Sequence, residues 1–159
     1  MKNDAIVINS GPLILLDKIN ALDIAGALPC RFLCPPAVRK EIDAGIHHNN
    51  SSITPDWLTV KALISPVSRF ADLAIDQGEA EVIQLALENN ITRVCLDDLR
   101  GRKVAKRFGL HVTGLLGLLA WAKELRIIPL LKPFTEQIVA VGGRYSQQLI
   151  DAVLANVGE

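Results

Sequence analysis

Two adjacent carboxylates, Asp97 and Asp98, directly follow the short apolar run RVCL at residues 93–96. An amide, Asn9, follows the run AIVI at residues 5–8 in the same way. Positions just past the carboxyl ends of strands are where open α/β sheets build their working sites. Oxygen-bearing side chains in such places suit hard divalent cations, because Mg²⁺ and Mn²⁺ prefer carboxylates, amide oxygens and water. Two more carboxylates, Glu41 and Glu79, fall on helical patterns and are candidates for the same crevice. Glu79 stands in the first turn of its helix, where the helix dipole favours a negative charge. Each residue also has a plainer reading. Glu79 is a helix-start residue, Glu41 a solvated helix face and Asp98 an N-cap. Taken singly, the plainer readings outweigh the chemical one, and periodicity does not show that four distant segments converge.

The elements that must position these residues alternate. AIVI reads as a buried parallel strand, broken by Asn9-Ser10-Gly11-Pro12. Ser10 is expected to cap the helix that follows, with Pro12 in its first turn. RFLC at 31–34 is a second strand, and Pro35-Pro36 opens a helix over AVRKEIDAG that stops at Gly45. Residues 46–56 read as a polar loop, 57–60 as a short extended segment and 67–74 as a weak helical pattern. The strongest helix runs over 79–89, with Val82, Ile83, Ala86 and Leu87 on one stripe. A strand at 93–96, a basic helix over LRGRKVAKRFG, a strand at 111–113 and an apolar helix over 114–125 follow. Two weaker helices, near 134–140 and 146–156, close the chain. Strands alternating with helices predict a parallel sheet covered by helices on both faces, in one domain over residues 1–159.

Composition bounds the rest. A chain of 159 residues, half of them hydrophobic, builds a core without staples and is not disordered. The longest apolar stretch, GLLGLLAWA, has nine residues, far short of the ~20 of a spanning helix. The N-terminus lacks a signal-peptide pattern, which places the protein in the cytoplasm with no membrane partner. Cys30, Cys34 and Cys95 are an odd set without a second pair for zinc, so they read as small core residues. Lysine plus arginine equals aspartate plus glutamate, 17 against 17. A nucleic-acid role must therefore rest on a local patch.

The run IVINSGPLILL at 6–16, the tetrad GEAE at 78–81 and the stretch LDDLRGRKVAKRFGLHVTGLLGLLAWAK at 96–123 resemble the PIN-domain superfamily, and most closely its DUF3368 branch. The likeness covers nearly the whole chain in order and spacing. It implies a PIN-like three-layer α/β/α sandwich with a central, mainly parallel sheet. It also implies a Mg²⁺- or Mn²⁺-dependent ribonuclease, related to toxins of toxin–antitoxin pairs. Carried over residue by residue, the family's acidic positions fall on Asn9, Glu41, Glu79 and Asp97, with Asp98 beside the last. Ser10 matches the small hydroxyl position after the first acid and is a candidate substrate contact. The departure is Asn9, whose amide ligates a cation without bringing charge. The implied ligands are Asn9, Glu79, Asp97 and Asp98, with Glu41 or Asp98 orienting water or holding a second ion roughly 4 Å away. Without metal, clustered carboxylates repel one another and are strained or partly protonated.

Substrate contacts come from a basic stretch: Arg93, Arg100, Arg102, Lys103, Lys106 and Arg107. Arg102 and Lys106 share one helix face, and Arg100, Lys103 and Arg107 a neighbouring one. They read either as a phosphate-gripping rim or as a solvated helix whose basic end complements its dipole. Arg102 matches the arginine of the family's GR block and has a second reading, holding an acid of the site in place. His47 and His48 sit in the polar loop, where solvation outweighs a substrate contact, and Trp57 could stack a base. Trp121, Leu149, Val153 and Leu154 suit core packing or a homodimer interface. The leading expectation is thus a metal-dependent endoribonuclease acting on RNA, with an antitoxin as possible protein partner. A catalytically weak PIN-fold module that binds nucleic acid or protein is the alternative that Asn9 favours. A receiver-like phosphoacceptor domain fits poorly, because its acidic pair belongs after the first strand.

Overall fold

The computed structural model describes residues 4–44 and 55–159. The helix stop expected at Gly45, the loop tip with His47 and His48, and most of the segment 46–56 lie outside the described residues. Strand β1 (Ala5–Ile8) is buried along its whole length, as the centre of a parallel sheet requires. Strands β2 (Arg31–Cys34), β3 (Leu58–Val60), β4 (Arg93–Cys95) and β5 (His111–Thr113) join it. The sheet order is β3-β2-β1-β4-β5, and every pairing is parallel. The α-helices are α1 (Ser10–Lys18), α2 (Leu22–Ala27), α3 (Pro36–Ala44), α4 (Gln77–Glu88), α5 (Leu99–Arg107), α6 (Leu115–Glu124), α7 (Lys132–Ala140) and α8 (Gln147–Asn156). They complete the three-layer α/β/α sandwich that the alternation predicts, with α3 packed on α4 and α1, and α6 on α2 and α8.

This strand order positions the site. From β1 the chain builds outward through β2 to β3, then returns to lay β4 on the opposite side of β1. The winding direction thus reverses between β1 and β4, and a crevice opens beyond their carboxyl ends. Ile8 pairs with Cys95, and the Asn9 N–H donates to the Cys95 carbonyl at 3.0 Å. Asn9 and the Leu96–Asp97 segment therefore leave the sheet side by side.

Three local expectations are revised. Asn9, not Ser10, caps α1: its side-chain oxygen accepts the Ser10 N–H at 2.9 Å, and Ser10 is the first helical residue. Helix α1 ends at Lys18. Asn20 adopts a left-handed φ of 54°, and the separate short helix α2 follows. Asparagine tolerates that conformation better than most residues. The strong helix expected at 79–89 begins at Gln77, because Asp76 supplies the cap. The weak pattern at 67–74 condenses to one 3₁₀ turn, Ser68–Phe70, which seats Phe70 in the core against Phe108 at 5.2 Å.

The cysteines behave as core residues. Cys34 and Cys95 are buried, Cys30 is half-buried, and all three are free. Burial pushes the Cys30 and Cys34 thiols up to about 11, which keeps them protonated. Trp121 is half-buried, with the Arg93 guanidinium 5.2 Å from its ring centre. Leu154 joins the core, whereas Leu149 remains 47% exposed. Among the described residues no helix is long and apolar enough to cross a membrane.

Candidate functional site

Residues from the ends of β1 and β4 and the starts of α1, α4 and α5 build the crevice. At the β1 end, capping turns the Asn9 side chain onto Ser10, and the Ser10 hydroxyl donates to Glu41 Oε2. Ser10 is itself buried, so its hydroxyl serves Glu41 in this arrangement. Glu41, on the half-buried flank of α3, lies against the backbone of α4. A Cβ on Gly78 would come within 2.5 Å of Glu41 Oε1. Glycine at that position leaves the carboxylate its space.

Glu79 is the most perturbed acid of the crevice. It is only 5% exposed although it sits in the first turn of α4. The reason is a capping box: the Glu79 N–H donates to Asp76 Oδ1 at 2.7 Å, and Glu79 Oε2 accepts the Asp76 N–H at 3.1 Å. Its carboxyl packs on Gly101 of α5, 3.2 Å from where a Cβ would stand. Burial first, then the like charges of Asp76, Asp98 and Glu41, push Glu79 up to about 7, against the pull of its hydrogen bond from Asp76. Glu79 therefore feels two acids of distant segments, and it exchanges its proton near neutrality.

Asp97 and Asp98 are neighbours with different surroundings. Asp98 is exposed and caps α5, accepting the N–H groups of Arg100 at 2.9 Å and Gly101 at 3.2 Å. The N-cap reading of Asp98 thus holds, and its charge still reaches Glu79. Asp97 faces the other way along the crevice. Its Oδ1 accepts the Leu115 N–H at 3.2 Å and its Oδ2 the Tyr145 hydroxyl at 2.8 Å. Burial raises its pKa, while the Tyr145 and Leu115 hydrogen bonds and the nearby Arg102 charge pull it down. The Arg102 guanidinium turns inward and donates to the Leu96 carbonyl at 2.8 Å. The Arg102 charge thus lies near Asp97. Asp97, Asp98, Gly11, Arg102, Arg144 and Tyr145 line one groove of about 860 Å³. Arg100, Lys103, Lys106 and Arg107 are exposed on α5 nearby.

Three residues of this region escaped sequence reading. Asp76 was visible as the first residue of a D-x-x-E capping box, Asp76 to Glu79. Glu81, the second acid of GEAE, is buried and accepts the Ala37 N–H at 3.1 Å and Gln77 Nε2 at 2.6 Å. It ties α4 to the unsatisfied N-terminus of α3. Tyr145 is the chain's single tyrosine and carries no local signal of its contact 48 residues away.

As the side chains stand, no three His, Cys, Asp or Glu residues among those described close around one ion. The donors nonetheless fit a hard divalent cation in their chemistry. They are all oxygens, and the like charges of Asp76, Asp98 and Glu41 add to burial in raising Glu79, a repulsion that a cation relieves.

A five-stranded parallel sheet with an acidic crevice at its switch point defines an α/β/α protein. The chain belongs to the DUF3368 family of PIN domains, matched over residues 5–159, and so carries a nuclease-type fold. No curated protein matches it.

Proposed function

We propose that this protein is a Mg²⁺- or Mn²⁺-dependent endoribonuclease whose crevice beyond β1 and β4 hydrolyses RNA phosphodiesters. The observation that carries the reading is Glu79: a buried carboxyl, pushed up to about 7 among Asp76, Asp98 and Glu41, in a PIN domain. Glu79 with Glu41 and Asp98 would hold the cation, and Asp97 would join them from the groove side. A bound divalent ion supplies Lewis acidity, lowering the pKa of water and neutralising charge on the phosphodiester. The residues do the rest. Glu79, pushed up to about 7 without metal, would be held ionised by the cation and bring it a negative charge. Ser10 holds the Glu41 carboxylate in place through its hydroxyl. Arg100 and Lys106, exposed on α5, meet the phosphates. The same reading extends to the toxin of a toxin–antitoxin pair acting in the cytoplasm, with an antitoxin or a second copy of the chain as protein partner.

The deciding experiment is a cleavage assay on single-stranded RNA with Mn²⁺ or Mg²⁺, comparing the wild type with Glu79→Ala and Asp97→Ala. Equal activity in all three removes these residues from catalysis. Asn9, an amide where the family pattern wants charge, favours a second reading, a PIN-fold module that binds RNA or protein with little catalysis. Retained RNA binding without cleavage selects it.

Two further outcomes follow from the geometry. Asn9→Asp keeps the oxygen that caps Ser10 and adds a negative charge, so Mn²⁺ binding should tighten by on the order of tenfold. Mn²⁺ titration followed by electron paramagnetic resonance reads this, and an unchanged affinity takes Asn9 out of the pocket. Replacing Arg100 and Lys106 with alanine should weaken RNA binding across sequences. Each lost contact should lower the slope of log affinity against log salt by about 0.7. A slope equal to that of the wild type assigns both residues to plain solvation.

A further inference from the structure

Asp97 is held from outside its own neighbourhood. The Leu115 N–H at the start of α6 donates to one carboxylate oxygen, and the Tyr145 hydroxyl, from the segment between α7 and α8, donates to the other at 2.8 Å. Gly114 completes the seat. A Cβ there would overlap Asp97 Oδ1 and stand 3.0 Å from Arg102 Nη1. Gly114 has extended backbone (φ −123°, ψ −174°), which any residue adopts, so glycine is needed there for space alone.

We infer that Tyr145 is a positioning residue for Asp97: with the N-terminus of α6, its hydroxyl fixes the carboxylate in the orientation that lines the groove beside Asp98. This inference rests on the nuclease reading. A carboxylate offers about four acceptor sites. Two donors on Asp97, one per oxygen, leave a lone pair on each oxygen while fixing the plane of the group. Ligating carboxylates are commonly held by such hydrogen bonds, and loss of one costs roughly 10–100-fold in metal affinity or activity. The competing explanation is packing, since Tyr145 also precedes Ser146, the cap of α8.

Mn²⁺ affinity separates the two, measured by electron paramagnetic resonance on the full chain beside the RNA cleavage assay. Tyr145→Phe fills the same space without the hydroxyl and should weaken Mn²⁺ binding about tenfold. Asp97→Asn should weaken it more, and the double variant should match Asp97→Asn alone, because the hydroxyl acts only through that carboxylate. Gly114→Ala, which pushes on Asp97 without touching Tyr145, should weaken binding in the same way. If Tyr145→Phe fails to fold, Tyr145→Met, which also lacks the hydroxyl, carries the test and should weaken binding in the same way. Wild-type affinity in Tyr145→Phe, or an equal loss in the Asp97→Asn background, overturns the inference and leaves the nuclease reading intact. A wild type that neither binds Mn²⁺ nor cleaves RNA overturns both.

Discussion

Glu79→Gln is expected to cut Mn²⁺-dependent cleavage of single-stranded RNA by roughly a hundredfold or more, with folding preserved. The substitution is nearly isosteric. A glutamine oxygen can still accept the Asp76 N–H that Glu79 Oε2 accepts at 3.1 Å, and the Glu79 N–H still donates to Asp76. Helix α4 therefore keeps its cap. What disappears is the ionisable oxygen among Asp76, Asp98 and Glu41. A neutral amide contributes no charge to a cation, so the proposed ligand role fails. The loss should fall on kcat more than on KM, because the exposed arginines and lysines of α5 are untouched. Retained cleavage by a folded Glu79→Gln protein would dismiss Glu79 from the chemistry.

The same residue should make the metal-free protein sensitive to pH. Glu79 ionises near 7 when folded and near 4.5 when unfolded. Between those values the folded state holds a proton that the unfolded state has released. Stability from this group is therefore full below about 4.5, declines as pH rises towards 7, and stays at its lower level above. Glu79→Gln removes this dependence. At pH 8, in a chelator, the variant should exceed the wild type by about 1–2 kcal/mol, a value discounted for solvent screening. That corresponds to roughly 3–6 °C in Tm. Near pH 4.5 the two proteins should converge. Denaturant unfolding at both pH values measures the difference, and an equal gap at both refutes the assignment. Added Mn²⁺ should narrow the gap at pH 8 if the ion binds this carboxylate.

How far the sequence reached depends on the range of each interaction. Strands β1, β2, β4 and β5 were legible because short apolar runs bounded by breakers leave few alternatives. The capping of α5 by Asp98 was legible because a cap acts within three residues. Errors gathered where two local signals compete. Asn9 and Ser10 are both good caps, and the choice fell to Asn9 while the Ser10 hydroxyl went to Glu41, 31 residues away.

The amino-acid sequence by itself determined which oxygens stand at strand ends and helix starts: Asn9, Glu79, Asp97 and Asp98 are set there by periodicity and capping, which are local. Tertiary structure alone decided which acids feel one another. Strand order β3-β2-β1-β4-β5 brings the ends of β1 and β4 together, and close packing of α3, α4 and α5 places Glu41, Glu79 and Asp98 within electrostatic reach. It also turned Asp97 to Tyr145 and the start of α6. Residue spacing carries no record of such contacts, because a side chain's partner across the chain depends on how the layers pack.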